Sequence, residues 1–237
     1  MMQHDLNAGL PGSSADAAFL PNFSDTNGRR RILAEGMHQP YERPRGLSDK
    51  LVAVSRSFLT YLQHFDVGSG FKTSDDFCRK LIGINYCFHS EVLQIYSRPE
   101  ICELIPGLQG PARFAAIERD AERMNIEASE YLVKPVSKNI SLHEALGWLF
   151  VAESSTLITA WLHRIIGGLR FVNSSGPSYL ATAPDQFLRS WRNFTATLDT
   201  IVITQSEEAK AVNGAQDALM RASFLTRSYL GSDPKVR

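Results

Sequence analysis

The sequence predicts an all-α fold, and three observations carry that prediction. Apolar residues recur every three or four positions along several long segments. Those segments open at capping residues and close at glycine or before proline. Extended patterns are nearly absent, with only Leu169–Val172 readable as a short extended piece. Seven or eight helices without an internal repeat fit the chain.

The first helix follows from Leu47, Leu51, Val54, Phe58, Leu62 and Phe65, which share one face, and Val67-Gly68-Ser69-Gly70 breaks it. Thr73 or Ser74 can cap a second helix that runs to about Tyr96, with Asp75 and Asp76 in its first turn, where carboxylates suit the dipole. Ile105-Pro106-Gly107 is a turn, a helix spans about 111–124, and a polar loop surrounds Lys134–Lys138. Ser141-Leu142-His143-Glu144 is a capping box, in which hydroxyl and carboxylate each satisfy an exposed amide. It opens a long apolar helix that reaches Ile166 and stops at Gly167-Gly168. Pro184-Asp185 starts a helix expected to reach Ile203, and Thr204-Gln205-Ser206-Glu207 caps a last one ending near Leu230.

Length and composition bound the function. The 237 residues suffice for one large domain, or at most two small ones, and 43% apolar content suits a folded chain. Residues 1–45 are rich in Gly, Ser, Asn, Asp and Pro and read as a disordered extension carrying Arg29, Arg30 and Arg31; residues 46–230 read as a single domain, and 231–237 as a tail. Twenty-five basic and 25 acidic residues cancel, so no electrostatic footprint for nucleic acid exists. No apolar run reaches the ~18 residues of a membrane span, and the first 21 residues lack the pattern of a secretory signal. Cys78, Cys87 and Cys102 have no metal-type spacing; the first two lie in an apolar helical stretch and read as inert buried thiols. A reducing cytoplasm fits, with export through the N-terminal extension as the other option.

Chemistry-bearing motifs are sparse. Phosphate loops, zinc patterns and nucleophile elbows are absent. His4 and His38 fall in the extension, His143 in a helix first turn, and His64, His89 and His163 on helices, where a lone imidazole is usually a surface or satisfied polar group. The long apolar helix poses a sharper question, because GWLFVAESSTLITAWL places Glu153, Ser154 and Ser155 mid-span. A buried carboxylate needs a partner, and a structural hydrogen bond or ion pair is the expected role of Glu153, ahead of acid–base work.

This stretch resembles the distal helix of the bacterial, biliverdin-producing heme oxygenases, where a phrase of the form LGWLFV-x-EGS-x-LG-x-A is typical. INYCFHSEV and LIPGL, within Phe77–Leu108, are similar to that family's second helix and following turn, and SWRNFTATLDTI at 190–201 resembles a later helix. The likeness covers about residues 46–230. It implies a helical heme oxygenase fold, with heme between a proximal N-terminal helix and a kinked distal helix. It also implies the family reaction, the oxygen-dependent cleavage of heme to biliverdin, iron and carbon monoxide with an external electron donor.

Two departures accompany the resemblance. The family requires an axial imidazole from the proximal helix. Counting back without gaps from the second helix puts Leu59 at that position, and leucine has no lone pair for iron. His64 lies five residues on, about 140° around the helix; a shortened loop is needed to make it the ligand, although Thr60-x-x-x-His64 echoes the family's spacing. His38 can ligate only if the extension folds back. On the distal side, glycines let the backbone approach heme. Here EGS-x-LG becomes Glu153-Ser154-Ser155-Thr156-Leu157-Ile158. Ser154 and Ile158 share one helix face and place bulk on the side the family turns toward iron. Ser155 keeps the family's serine, whose hydroxyl can bond back to a carbonyl and help bend the helix. Arg164 can meet a heme propionate or sit as a solvated charge near a helix C-terminus.

The resemblance with these departures gives the expectation of a divergent heme oxygenase with impaired or absent heme turnover. The alternative is a non-catalytic module on the same scaffold, binding a tetrapyrrole, another flat apolar molecule or a protein partner.

Overall fold

The computed structural model describes residues 46–63, 74–126, 136, 139–166 and 184–230, all within one compact unit, Pro44–Arg237. The expected tails 1–45 and 231–237, the break at Val67–Gly70, His64, the stop at Gly167-Gly168 and the extended piece at Leu169–Val172 lie outside the described residues. Within the helices, the side chains of residues 57–63, 74, 75, 77, 156–166, 184–187 and 230 also lie outside them. The regular structure that is described is entirely helical. In chain order it comprises α1 (Leu47–Gln63), α2 (Ser74–Tyr96), α3 (Pro99–Leu104), α4 (Gly110–Arg123), α5 (Leu142–Ile166), α6 (Pro184–Leu198) and α7 (Gln205–Leu230).

Capping chemistry sets most of the boundaries. At α5 the Ser141 amide donates to Glu144 Oε2 at 2.7 Å, and the Glu144 amide donates to Ser141 Oγ at 3.2 Å. At α7 the Thr204 amide donates to Glu207 Oε2 at 2.8 Å, and the Glu207 amide donates to Thr204 Oγ1 at 3.3 Å. Both boxes are the reciprocal pairs the sequence spells. The α1 start is capped from afar: Asp199 accepts from the Ser48 amide and the Ser48 hydroxyl, each at 2.9 Å.

Two elements differ from the sequence-based expectation. The short α3 is unforeseen; Pro99 seeds it at the first helical position, where its fixed φ is preorganised and its missing N–H costs nothing. The sixth helix ends at Leu198 instead of Ile203. Thr200, Ile201, Val202 and Ile203 are consecutive β-branched residues that resist helix, and the carboxylate of Asp199 is committed to α1.

Helix α5 is anchored on α7 by close approach. A Cβ on Gly147 would overlap the Ala211 carbonyl and stand 2.5 Å from the Ala215 nitrogen. A Cβ on Gly214 would overlap the Glu144 carbonyl and stand 2.7 Å from Glu144 Cα. Glycine at both positions lets the two backbones touch. Lys50 pairs with Glu208, and His143 Nε2 lies 3.7 Å from Glu207 Oε1, which gathers the first turns of α1, α5 and α7 at one end. Helix α2 runs antiparallel to α7: Cys87 Sγ lies 3.5 Å from the Tyr229 hydroxyl, and Glu91 pairs with Arg221, whose Nε donates at 2.8 Å.

Leu146, Leu149 and Phe150 of α5, Val92 and Ile95 of α2, and Leu198 of α6 are buried in the core. Phe150 packs against Trp191 and Phe194 at centroid separations of 5.2 and 6.4 Å, within the range of favourable aromatic pairs. Cys78 and Cys87 are buried thiols outside any disulfide, as expected; Cys102 is exposed and likewise not in a disulfide.

Candidate functional site

The buried face of α2 carries polar residues on an apolar stripe. Ile82, Asn85, His89, Val92 and Tyr96 recur at spacings of three and four, and every one is buried. His89 and Tyr96 therefore point at the middle of α5, where the chain places Glu153 and Ser155. Tyr96 is seated by Gly110 at the start of α4, where any Cβ would overlap its ring.

Glu153 is 4% exposed and has the partners its burial requires. The Tyr96 hydroxyl donates to Oε1 at 2.8 Å. Arg113 of α4 donates from both ends of its guanidinium, to Oε1 at 3.2 Å and Oε2 at 2.8 Å. This is the fork geometry that matches a carboxylate. Burial, and then the neighbouring Glu153 carboxylate, hold the Tyr96 hydroxyl well above the usual phenol range, so it stays a proton donor. The cluster joins α2, α4 and α5 and answers the question posed by Glu153: the carboxylate is a structural node.

The two hydroxyls turn back on their own helix. Ser154 Oγ donates to the Val151 carbonyl at 2.8 Å, and Ser155 Oγ donates to the Ala152 carbonyl at 2.7 Å. The α-helix continues through both residues to Ile166. His89 Nε2 lies 3.1 Å from Ser155 Oγ. Since the serine's single proton is directed to Ala152, the imidazole is the donor and Ser155 the acceptor. That assigns the proton to Nε2 and leaves Nδ1 a bare acceptor, buried without a hydrogen-bond partner. Burial first, then the positive charge of Arg113, push the His89 pKa down to about 3, so the ring is neutral at physiological pH.

Of the residues singled out from the sequence, Ser155 thus meets His89 of α2, while Ser154 bonds back to its own helix; both are half-buried. Leu59 lies in α1, and Ile158 and Arg164 lie in α5, with side chains outside the described residues. His64 lies outside them altogether. Sequence reasoning treats His89 as an ordinary helical histidine and passes over Tyr96 and Arg113. The signal for the first two is their place on the apolar stripe of α2. Arg113 has no such signal, because it is one of six charged residues among the 14 of α4 and nothing local sets it apart. Among the described residues, no group of three or more His, Cys, Asp or Glu side chains is placed to hold a metal ion. Nor is any described helix long and apolar enough to cross a membrane.

The Ser154 hydroxyl is engaged by the Val151 carbonyl of its own helix.

No protein-family model matches the chain. It is similar to heme oxygenase PigA of Pseudomonas aeruginosa, with 32% identity over 160 residues, 67% of this chain and 80% of that protein. Its fold is similar to that of a heme oxygenase from Neisseria meningitidis solved in NO- and CO-bound forms, with a TM-score of 0.67 and 25% identity, covering 81% of this chain and 96% of that one.

Proposed function

The chain belongs to the heme oxygenase family, and from that premise we propose that this member has lost efficient heme turnover while retaining the family scaffold. The observation that carries the proposal is the double replacement across the heme slot: Leu59 where the matched position needs an imidazole, and Ser154 and Ile158 where it needs glycine. Loss of the ligand alone is compatible with a substitute from elsewhere. Loss together with added bulk on the opposite wall removes both the iron's anchor and the room beside it. In the family, bound heme supplies the iron centre at which oxygen is activated; no step of that chemistry is assigned to the residues of this chain.

The surrounding architecture supports a retained binding scaffold. The Tyr96–Glu153–Arg113 cluster ties α5 to α2 and α4, and the Gly147–Gly214 contact ties it to α7. A tetrapyrrole or another flat apolar molecule is the ligand class that membership of the family suggests. Three free cysteines suit a reducing cytoplasm.

The test is single-turnover assay and binding measured side by side. Hemin, a chemical reductant and oxygen are supplied to the full chain, and biliverdin is followed by absorbance. The expected result is no biliverdin above the protein-free control. A reconstructed variant, Leu59→His with Ser154→Gly and Ile158→Gly, is expected to bind hemin more tightly than the parent. Turnover by the unmodified chain defeats the proposal. So does a folded triple variant that binds hemin no better, because it shows the residues to be mismatched.

A further inference from the structure

The C-terminal half of α7 presents an outward stripe that the packing of the helices leaves uncovered. Asp217, Met220, Phe224 and Arg227 are all exposed and recur at spacings of three, four and three, so they line one face. Met220 is 63% and Phe224 48% exposed, a high degree for large apolar side chains standing as neighbours on a helix. The Arg221 guanidinium lies 5.2 Å from the centre of the Phe224 ring and stiffens it from one side.

The order of these residues is informative. Counted from Ala222, Met220 and Phe224 stand two residues to either side, and Asp217 and Arg227 stand five to either side. A two-fold axis passing between the paired helices at the level of Ala222 would therefore set Met220 against the partner copy's Phe224, and Asp217 against the partner copy's Arg227, twice over. The contacts are a thioether on an aromatic ring and a pair of opposite charges. A parallel pairing would instead oppose aspartate to aspartate and arginine to arginine. The stripe is complementary to itself in the antiparallel sense alone, which closes after two copies.

We propose that this face of α7 is a self-association surface whose occupant is α7 of a second copy of the same chain. Arg227 is also engaged within its own chain; the surface uses its charge and position at the end of the stripe. Two large apolar residues per copy make a small interface, so the dimer is weak and forms as concentration rises.

Sedimentation velocity on the full chain, from roughly 1 µM to 1 mM, spans the range in which small interfaces associate. The expected result is a boundary that moves from monomer to dimer with concentration. Met220→Glu is expected to raise the dissociation constant at least about tenfold, with an unchanged thermal melt, since the side chain is exposed. Asp217→Arg and Arg227→Asp are each expected to weaken the dimer, and the two together to restore it. A monomer at every concentration overturns the proposal and leaves the stripe to a different protein. A dimer indifferent to Met220→Glu, or a double charge exchange no better than either single one, overturns it equally.

Discussion

Replacing Arg113 by methionine isolates the role assigned to Glu153. Methionine keeps the length and much of the volume of the arginine stem while removing the charge and both hydrogen bonds to the carboxylate. The arginine and glutamate side chains are 7% and 5% exposed, so water does not replace what is lost. Glu153 would retain the Tyr96 hydroxyl but lose its counter-charge inside the protein. Breaking a buried ion pair from one side costs about 3–5 kcal/mol, a large share of the ~5–15 kcal/mol typical of a domain. Urea unfolding followed by circular dichroism should show the midpoint falling by about 1 M or more, for a slope of ~1–3 kcal/mol/M. The companion triple variant, Tyr96→Phe with Arg113→Met and Glu153→Met, removes every polar group of the cluster at nearly constant volume. It should recover to within about 1 kcal/mol of the parent or exceed it, because a well-packed apolar replacement avoids the desolvation of the pair. A loss under about 1 kcal/mol in Arg113→Met, or a triple variant less stable than the single one, would refute the structural reading of Glu153.

Gly147→Ala and Gly214→Ala should each destabilise by about 1–3 kcal/mol despite the better helix propensity of alanine, because the new methyl meets backbone that cannot yield; calorimetry reads this as a lowered melting temperature. His89 predicts a pH dependence. Its folded-state pKa is depressed to about 3, so the stability linked to its neutral form is complete above the unfolded value of about 6.5 and falls as pH drops from there toward 3, by up to ~1.4 kcal/mol per unit. Stability measured between pH 7 and 4 in parent and His89→Leu should diverge with that slope, and parallel curves would contradict the burial argument. Ser141→Ala should cost about 0.5–2 kcal/mol through the lost cap of α5, read by the same urea titration, with the Glu144 pKa rising in part because the Ser141 hydroxyl, the first cause that holds it low, is gone while the backbone amide remains.

Most helix positions are legible in the sequence because local chemistry determines them. The boxes at Ser141–Glu144 and Thr204–Glu207 fix two starts, and the period of α2 fixes its buried face. The end of α6 is less legible, since it depends on Asp199 being drawn to α1, some 150 residues earlier in the chain. The need of Glu153 for a partner follows from its apolar surroundings, yet the identity of Arg113 does not, because α4 meets α5 only through the fold. His89 is the instructive case. On a helix its pattern reads as a satisfied core residue, and one nitrogen is satisfied by Ser155 while the other is not. A buried acceptor without a partner costs roughly 1–3 kcal/mol, a strain that no one-dimensional pattern records.

The central proposal concerns iron: Leu59 stands at the position that the family resemblance matches to the axial imidazole, and we propose that heme is therefore not held as the family holds it. The most direct measurement is the visible absorption spectrum of hemin titrated into the full chain, into Leu59→His and into His64→Ala. The account predicts no histidine-type Soret band for the parent, no change on removing His64, and the appearance of that band once an imidazole is placed at 59. A sharp, saturable histidine-ligated band in the parent that disappears in His64→Ala would contradict it.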